Sequence, residues 1–199
     1  MSELNRRAML RLMAAVPFAQ ALDLPLPAVA RAATSARNAT QQAAPFVAQF
    51  FTPHELRTVT VLADLVIPRG GRSGSASDAG VPAFLDFMMI DRPQLQGRMR
   101  GGLAWLDTES RRRNGGEFVE ATPAQQAAIL DDIAWPARAP AGLSHGVTFF
   151  SFFRDMVATG FWSSQMGVED LQFMGNRVVP VWNGCPDEAL RHLGVRYDD

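Results

Sequence analysis

The chain has 199 residues with 19 basic and 20 acidic side chains, a formal net charge of −1 and a single cysteine, Cys185. This near-neutral charge argues against nucleic-acid binding, which needs a basic face, and the lack of lysine excludes a lysine Schiff base and a P-loop site. One cysteine excludes an internal disulfide, an iron–sulfur cluster ligated by this chain alone and a c-type haem attached to it.

The first residues have the pattern of an export signal. Arg6 and Arg7 precede a mild apolar stretch at residues 8–21. A bilayer-spanning helix needs about 20 apolar residues with almost no charge, so this stretch is too short for a permanent anchor. Small-x-small sites suitable for cleavage lie within residues 28–32. We therefore predict a twin-arginine signal over residues 1–32, read by the export machinery that carries folded cargo to the periplasm.

Two further segments complete the predicted organisation. Residues 33–45 are polar and alanine-rich, and they predict a flexible spacer. Residues 46–199 have the length of one domain. The alternative for the first 32 residues is an exposed amphipathic helix in which the arginine pair occurs by chance.

Stretches with apolar residues at helical spacing follow one another through the domain. The first begins at Thr52, which can cap the free amides while Glu55 reaches back to it, and it ends before Pro68. A second capping box pairs Thr122 with Gln125. The predicted helices after the first cover residues 81–90, 95–113, 127–133 and 147–161, with a short last one at 187–193.

The remaining segments are irregular. Residues 69–79 are rich in Gly and Ser, and they predict a flexible connection because they lack the lysine and the spacing of a phosphate-binding loop. Beyond Gly167 the helical period is lost, and residues 178–186 look extended or turn-like. No alternating strand pattern of useful length occurs. The sequence therefore predicts a single small all-α domain with an irregular C-terminal region, preceded by the signal segment.

The histidines are the candidates for acid/base chemistry: His54, His145 and His192. None forms the i, i+4 pair of a helical zinc site, so no metal site is predicted. We expect His54 to be exposed in the first turn of its helix. A histidine–carboxylate pair stays open, because its partners can meet in space alone, and it would make His54 or His145 a general base.

Charged and aromatic clusters have simple interpretations. The run Arg111 to Arg113 ends a predicted helix, where positive charge complements the helix dipole. Asp131 and Asp132 are interpreted as solvated surface. Four phenylalanines fall within residues 149–153. A helix that is apolar on nearly all faces has to be covered on all of them, which for a chain this small hints at a partner.

Several segments resemble, in their order and spacing, the small subunit (subunit 3) of gluconate 2-dehydrogenase and related membrane-bound sugar dehydrogenases. The resemblance runs from about Phe51 to Gly194, and Met174 departs from it where we expect an aromatic residue. Its marks are Phe-Thr-Pro-His-Glu at 51–55, Leu-Ala-Asp-Leu-Val-Ile-Pro at 62–68, Ser-Asp-Ala-Gly-Val-Pro-Ala-Phe-Leu-Asp at 77–86, Phe149-Phe150, Gly-Phe-Trp-Ser-Ser at 160–164, Gly167, Met174-Gly175-Asn176 and Asn-Gly-Cys-Pro at 183–186.

The resemblance implies a role that composition does not show. Small subunits of this kind carry no cofactor and escort a large flavin subunit, which binds FAD, oxidises the sugar or sugar acid and lacks an export signal of its own. A multihaem cytochrome c subunit passes the electrons on to the quinone pool. The resemblance thus implies a non-catalytic, chaperone-like subunit of a complex on the periplasmic face of the cytoplasmic membrane.

We predict partner contacts in two aromatic, turn-rich segments and at a glycine–asparagine pair, since large aromatic side chains are typical interface anchors. The alternative is that these segments are internal turns that close the domain. The predicted contact residues are Phe161, Trp162, Ser163, Gly175, Asn176, Trp182, Asn183, Gly184 and Cys185.

Two other classes of function stay open on the sequence alone. One is a free-standing periplasmic, hydrolase-like enzyme that uses His54 or His145 as its base. The other is a partner-binding module of the periplasm that has no relation to dehydrogenases. The sequence contains no recognisable nucleophile or metal motif that supports either of these functions.

Overall fold

The computed structural model describes residues 25–41, 46–172, 181 and 184–197. Within these ranges the chain forms α-helices and short 3-10 turns but no strand, which confirms the prediction of an all-α domain. The 3-10 turns lie at Pro93–Leu95 and Phe118–Glu120. The helices are α1 (Leu26–Gln41), α2 (Pro53–Val66), α3 (Val81–Asp91), α4 (Gln96–Asn114), α5 (Pro123–Ala134), α6 (Ser144–Ser163), α7 (Gln165–Asp170) and α8 (Asp187–Leu193).

Both predicted capping boxes are present. The Thr52 hydroxyl accepts a hydrogen bond from the amide of Glu55 at 3.2 Å, and the Glu55 carboxylate accepts one from the Thr52 amide at 2.8 Å. Thr122 and Gln125 make the same reciprocal pair at the start of α5. Each box satisfies amides that have no partner inside their helix, which fixes where α2 and α5 begin.

Helix α6 lies at the centre of the domain. It contacts α1, α2, α3, α4, α5 and α7, so most of its apolar residues meet a neighbouring helix. Its phenylalanines Phe149, Phe150, Phe152 and Phe153 are each at most 8% exposed. The chain itself therefore covers these four phenylalanines, and their burial needs no partner.

Helix α1 packs against α3 and α6 through small side chains. Ala28, Val29 and Ala32 are fully buried, and Arg31 forms an ion pair with Asp91 at 2.9 Å. The helix crosses residue 32, so it differs from the expectation of a flexible spacer that begins at residue 33. Alanine is the strongest helix former, and its small side chain allows close packing on α3.

The segment that leads into α2 is held by one buried carboxylate. Asp86 of α3 is 2% exposed and accepts hydrogen bonds from the amides of Gln49, Phe50 and Phe51 at 2.9, 3.0 and 2.9 Å. Amides in an irregular segment have no helical partner, and a buried carboxylate needs several donors. Asp86 therefore satisfies both requirements and fixes the entry to α2 on α3.

The predicted flexible connection at residues 69–79 is held by two carboxylates. Asp64 accepts hydrogen bonds from the amide and hydroxyl of Ser77, both at 2.7 Å. Asp78 accepts from the amide of Ser75 at 2.7 Å, and this bond is the main reason why the pKa of Asp78 is lowered. The segment is thus folded against the end of α2, through partners that glycine and serine content does not reveal.

No helix in the described part of the chain combines the length and the apolar character that crossing a bilayer requires. Arg6 and Arg7 lie outside the described residues. The export signal therefore stays a prediction.

Candidate functional site

The first predicted contact segment closes the corner between α6 and α7. Phe161 and Ser163 are 1% and 3% exposed, while the half-buried Trp162 packs edge-on against the Phe161 ring with centroids 4.9 Å apart. A Cβ atom at Gly167 would overlap the backbone of Phe161, so only glycine fits there. Phe161 and Ser163 thus lie inside the domain, as the alternative of an internal turn describes. Of the three side chains, Trp162 offers surface to a partner.

The second predicted contact segment lies near the C-terminus. Gly184 has φ +92°, and the amide of Cys185 donates a hydrogen bond to the Tyr197 hydroxyl at 2.7 Å. The segment from 184 to 197 folds on itself, and Leu193 and Tyr197 are 68% and 57% exposed. Partner contact through Gly184 and Cys185 stays a prediction. The other predicted contacts lie outside the described residues: Gly175, Asn176, Trp182 and Asn183.

His54 is held between two carboxylates. Its Nε2 lies 2.7 Å from Oδ2 of Asp107, and its Nδ1 lies 3.2 Å from Oε2 of Glu117. The expectation that His54 is exposed is wrong: its side chain is 30% exposed, because the second 3-10 turn brings Glu117 against it. The two partners are far away along the chain, so no local pattern reveals the cluster.

The contacts of this cluster serve the packing of the domain. A general base needs a ring nitrogen that can reach a substrate proton, and both nitrogens of His54 already face carboxylates. Asp107 uses its other oxygen to accept a hydrogen bond from the amide of Phe118 at 3.0 Å. The cluster therefore ties α2 and α4 to the 3-10 turn that follows α4.

A second ionic cluster joins the end of α4 to α5. Glu109 accepts hydrogen bonds from Arg112 and Arg113 at 2.6 Å, and Arg113 also reaches Asp132 at 2.7 Å. The hydrogen bond from Arg112 is the largest cause that lowers the pKa of Glu109 from 4.5 to about 2, and burial of the carboxyl opposes it. Asp132 is therefore part of a helix–helix contact, whereas the sequence indicated solvated surface.

The remaining feature is an open groove between α4 and α6, which we call the α4–α6 groove. It has a volume of about 550 Å³ and an aromatic floor formed by Trp105 and Phe149. One side is formed by Gly97, Gly101 and Gly102 of α4. The exposed His145 lies at its rim and has no hydrogen-bond partner among the described residues.

Sequence reasoning missed this groove. Gly97, Gly101 and Trp105 follow one another at intervals of four residues, which places them on one face of α4. That spacing is visible in the sequence and could have indicated an open helix face. The described residues contain no cluster of histidine, cysteine, aspartate and glutamate with a geometry that could hold a metal ion.

Comparison with known proteins places the chain in a family. Residues 53–184 match the family described as gluconate 2-dehydrogenase subunit 3. Comparisons with curated proteins and with solved structures gave no match. The matched range begins at the first residue of α2, includes α2 to α7 and the α4–α6 groove, and spans more than half of the 199 residues. On the extent of that match, the chain belongs to the gluconate 2-dehydrogenase subunit 3 family.

Proposed function

We propose that this chain is the non-catalytic small subunit of a flavin-dependent dehydrogenase complex, which escorts the large FAD-containing subunit through folding and export and stabilises it. The observation that carries the proposal is the family match over α2 to α7, since the family describes a subunit of gluconate 2-dehydrogenase and so implies dehydrogenase partners. The substrate is a sugar, a sugar acid or an alcohol, and it binds to the large subunit.

The proposed destination is the periplasm, at the outer face of the cytoplasmic membrane. Support comes from the position of Arg6 and Arg7 before a short apolar stretch, as in a twin-arginine signal. That route carries folded cargo, which suits a large subunit already loaded with FAD. A multihaem cytochrome c subunit is proposed as the third member of the complex, where it receives the electrons.

The geometry of His54 supports a non-catalytic role. Both ring nitrogens face carboxylates, which leaves neither of them to take a proton from a substrate. FAD chemistry is accordingly assigned to the partner, and this chain is proposed to act through assembly. The proposal therefore predicts effects on the amount and location of the large subunit rather than on its turnover.

Co-expression with the large FAD subunit tests the escort role. The large subunit should be recovered from the periplasm with bound flavin when the wild-type chain is present. It should stay in the cytoplasm without this chain, or with a variant carrying Arg6→Lys and Arg7→Lys. The same conservative change at Arg11 is the matched control, because it leaves the arginine pair intact. Periplasmic, flavin-loaded large subunit in the absence of this chain would show that the escort role is wrong.

A further inference from the structure

Four glycines border the contact between α4 and α6, and they divide into two kinds. A Cβ atom at Gly102 would overlap the ring of Phe149, and one at Gly146 would overlap the ring of Trp105. These two glycines are explained by packing inside the domain. At Gly97 and Gly101, in contrast, a Cβ atom would meet no atom within 4 Å.

The exposed glycines are unfavourable for the chain on its own. Glycine inside a helix costs about 0.5–1 kcal/mol relative to alanine, because it loses more backbone freedom on folding. Gly101 lies in the second turn of α4, and alanine would fit there without a clash. No contact within the domain accounts for Gly97 or Gly101. Glycine on an exposed helix face is, however, suited to the close approach of another backbone.

The α4–α6 groove beside these glycines is long enough for a short extended segment. It runs along α4 from Gly97 to Trp105, which is about 12 Å, or roughly two helical turns, at the rise of an α-helix. The half-buried Trp105 and the 3% exposed Phe149 form its floor. The exposed α4 backbone at Gly97 and Gly101 lies beside these aromatic rings. This combination is suited to a bound segment that buries apolar side chains.

The charge of the groove indicates the chemistry of its occupant. Among the described residues, those that line it include the cation Arg98 and the imidazole of His145, and no aspartate or glutamate. Arg98 lies over the ring of Phe152 at 4.5 Å and donates a hydrogen bond to the carbonyl of Thr148 at 3.2 Å. These contacts position the guanidinium but leave it without a carboxylate partner within the described residues. A complementary occupant therefore carries negative charge.

We propose that the α4–α6 groove binds an acidic segment of the large dehydrogenase subunit. The backbone of that segment approaches Gly97 and Gly101, its apolar side chains cover Trp105, and a carboxylate pairs with Arg98. The proposal rests on the proposed function, because it takes the occupant from the partner of this family. It adds the surface and the charge through which the two subunits meet.

Substitutions at Gly101 test the proposal, because stability and binding should change in opposite directions. In the purified full-length chain, Gly101→Ala should raise the midpoint of thermal unfolding by about 1–4 °C. The same variant should bind the large FAD subunit about tenfold more weakly, and Gly101→Leu should weaken binding further. Ala128→Leu, on the exposed face of α5, adds a side chain outside the groove and should leave binding unchanged.

Arg98 provides the electrostatic test. Arg98→Gln should weaken binding and reduce its dependence on salt concentration, whereas Arg98→Lys should restore part of both. If Gly101→Leu binds the large subunit as tightly as the wild type, the assignment of the groove is wrong. If Gly101→Leu abolishes self-association of this chain but leaves binding of the large subunit unchanged, the occupant of the groove is a second copy of this chain. That result would also overturn the proposal. In either case, export of the large subunit still depends on this chain if the proposed function is correct. A failure of the groove proposal can therefore be distinguished from a failure of the escort role.

Discussion

His54 lies 2.7 Å from Asp107 through its Nε2 atom, and this contact joins the first turn of α2 to the middle of α4. The Asp107 carboxylate has a side-chain exposure of 9% and also accepts the amide of Phe118. A buried carboxylate that loses a partner keeps its cost of desolvation. His54 therefore contributes to the stability of the domain through the charge that it satisfies.

Replacement of His54 by alanine should lower the free energy of unfolding by about 1–3 kcal/mol, because Asp107 would be left short of a partner. Chemical denaturation of the purified chain measures this change. His192→Ala is the control, since the exposed His192 should change stability by less than about 0.5 kcal/mol. The turnover of assembled complex should stay unchanged with His54→Ala. Loss of turnover with normal assembly would mean that His54 is catalytic.

Removal of the Asp86 carboxylate should have a larger effect. Asp86→Ala leaves the amides of Gln49, Phe50 and Phe51 without their acceptor, and we expect a loss of about 3–4 kcal/mol in the free energy of unfolding. Asp86→Asn should cost less, because its one remaining acceptor oxygen can serve Phe50 and Phe51.

Urea denaturation of Asp86→Ala and Asp86→Asn measures these losses. The control is Asp131→Asn at an exposed position of α5, which should leave the free energy of unfolding nearly unchanged. The order of stability should be wild type, Asp86→Asn and Asp86→Ala, from most to least stable. Equal midpoints for Asp86→Ala and the wild type would contradict the role of Asp86 in holding the segment before α2.

The stability of the domain should depend on pH through Glu109. Its pKa in the folded chain is lowered from 4.5 to about 2. The stabilisation is therefore fully present above pH 4.5 and is lost as the pH falls toward 2. Glu109→Gln should cost about 1–2 kcal/mol at neutral pH, a value reduced by solvent screening at the exposed Arg112.

Denaturation from pH 7 to pH 3 measures this effect. The difference between the wild type and Glu109→Gln should narrow as the pH falls below 4.5, because the Glu109 carboxylate of the unfolded wild type takes up a proton while that of the folded chain stays ionised until about pH 2. Glu188→Gln, in the exposed first turn of α8, should show a small difference at every pH. A constant difference between the wild type and Glu109→Gln across this range would contradict the assigned ionic contact.

Local chemistry made much of this fold predictable from the sequence. Two capping boxes determine where α2 and α5 begin: Thr52 with Glu55, and Thr122 with Gln125. Because a capping box depends on residues three apart, it can be read from the sequence. The apolar period likewise gave α3, α4 and α6 within a few residues of their observed bounds. The last helix, α8, begins at Asp187 and ends at Leu193 as predicted.

The contacts that the sequence did not reveal join residues far apart in the chain. His54 and Asp107 are 53 positions apart, and Asp86 is 35 to 37 positions from the amides that it binds. Such pairs depend on how helices pack, which periodicity within one helix does not determine. The α4–α6 groove was missed for the same reason, since α4 and α6 must be placed together before Gly97 and Gly101 can be distinguished from Gly102.

The burial of α1 leads to a prediction about where the proposed export signal is cleaved. Cleavage at the small-x-small sites in residues 28–32 would remove Ala28 and Val29, which are fully buried against the domain. A chain that begins at residue 33 should therefore be less stable than one that begins at Pro25. Burial of these apolar side chains corresponds to a loss of about 2–4 kcal/mol.

Thermal and chemical unfolding of the two truncated chains measures the difference, and Leu26→Ala in the longer chain is the control for an exposed side chain of α1. Mass spectrometry of the protein recovered from the periplasm should accordingly find a first residue no later than Pro25. If the chain beginning at residue 33 is as stable as the longer one, the packing of residues 25–32 does not contribute to the fold. Cleavage within residues 28–32 would then be compatible with a stable subunit, because the core around α6 would not need the first half of α1.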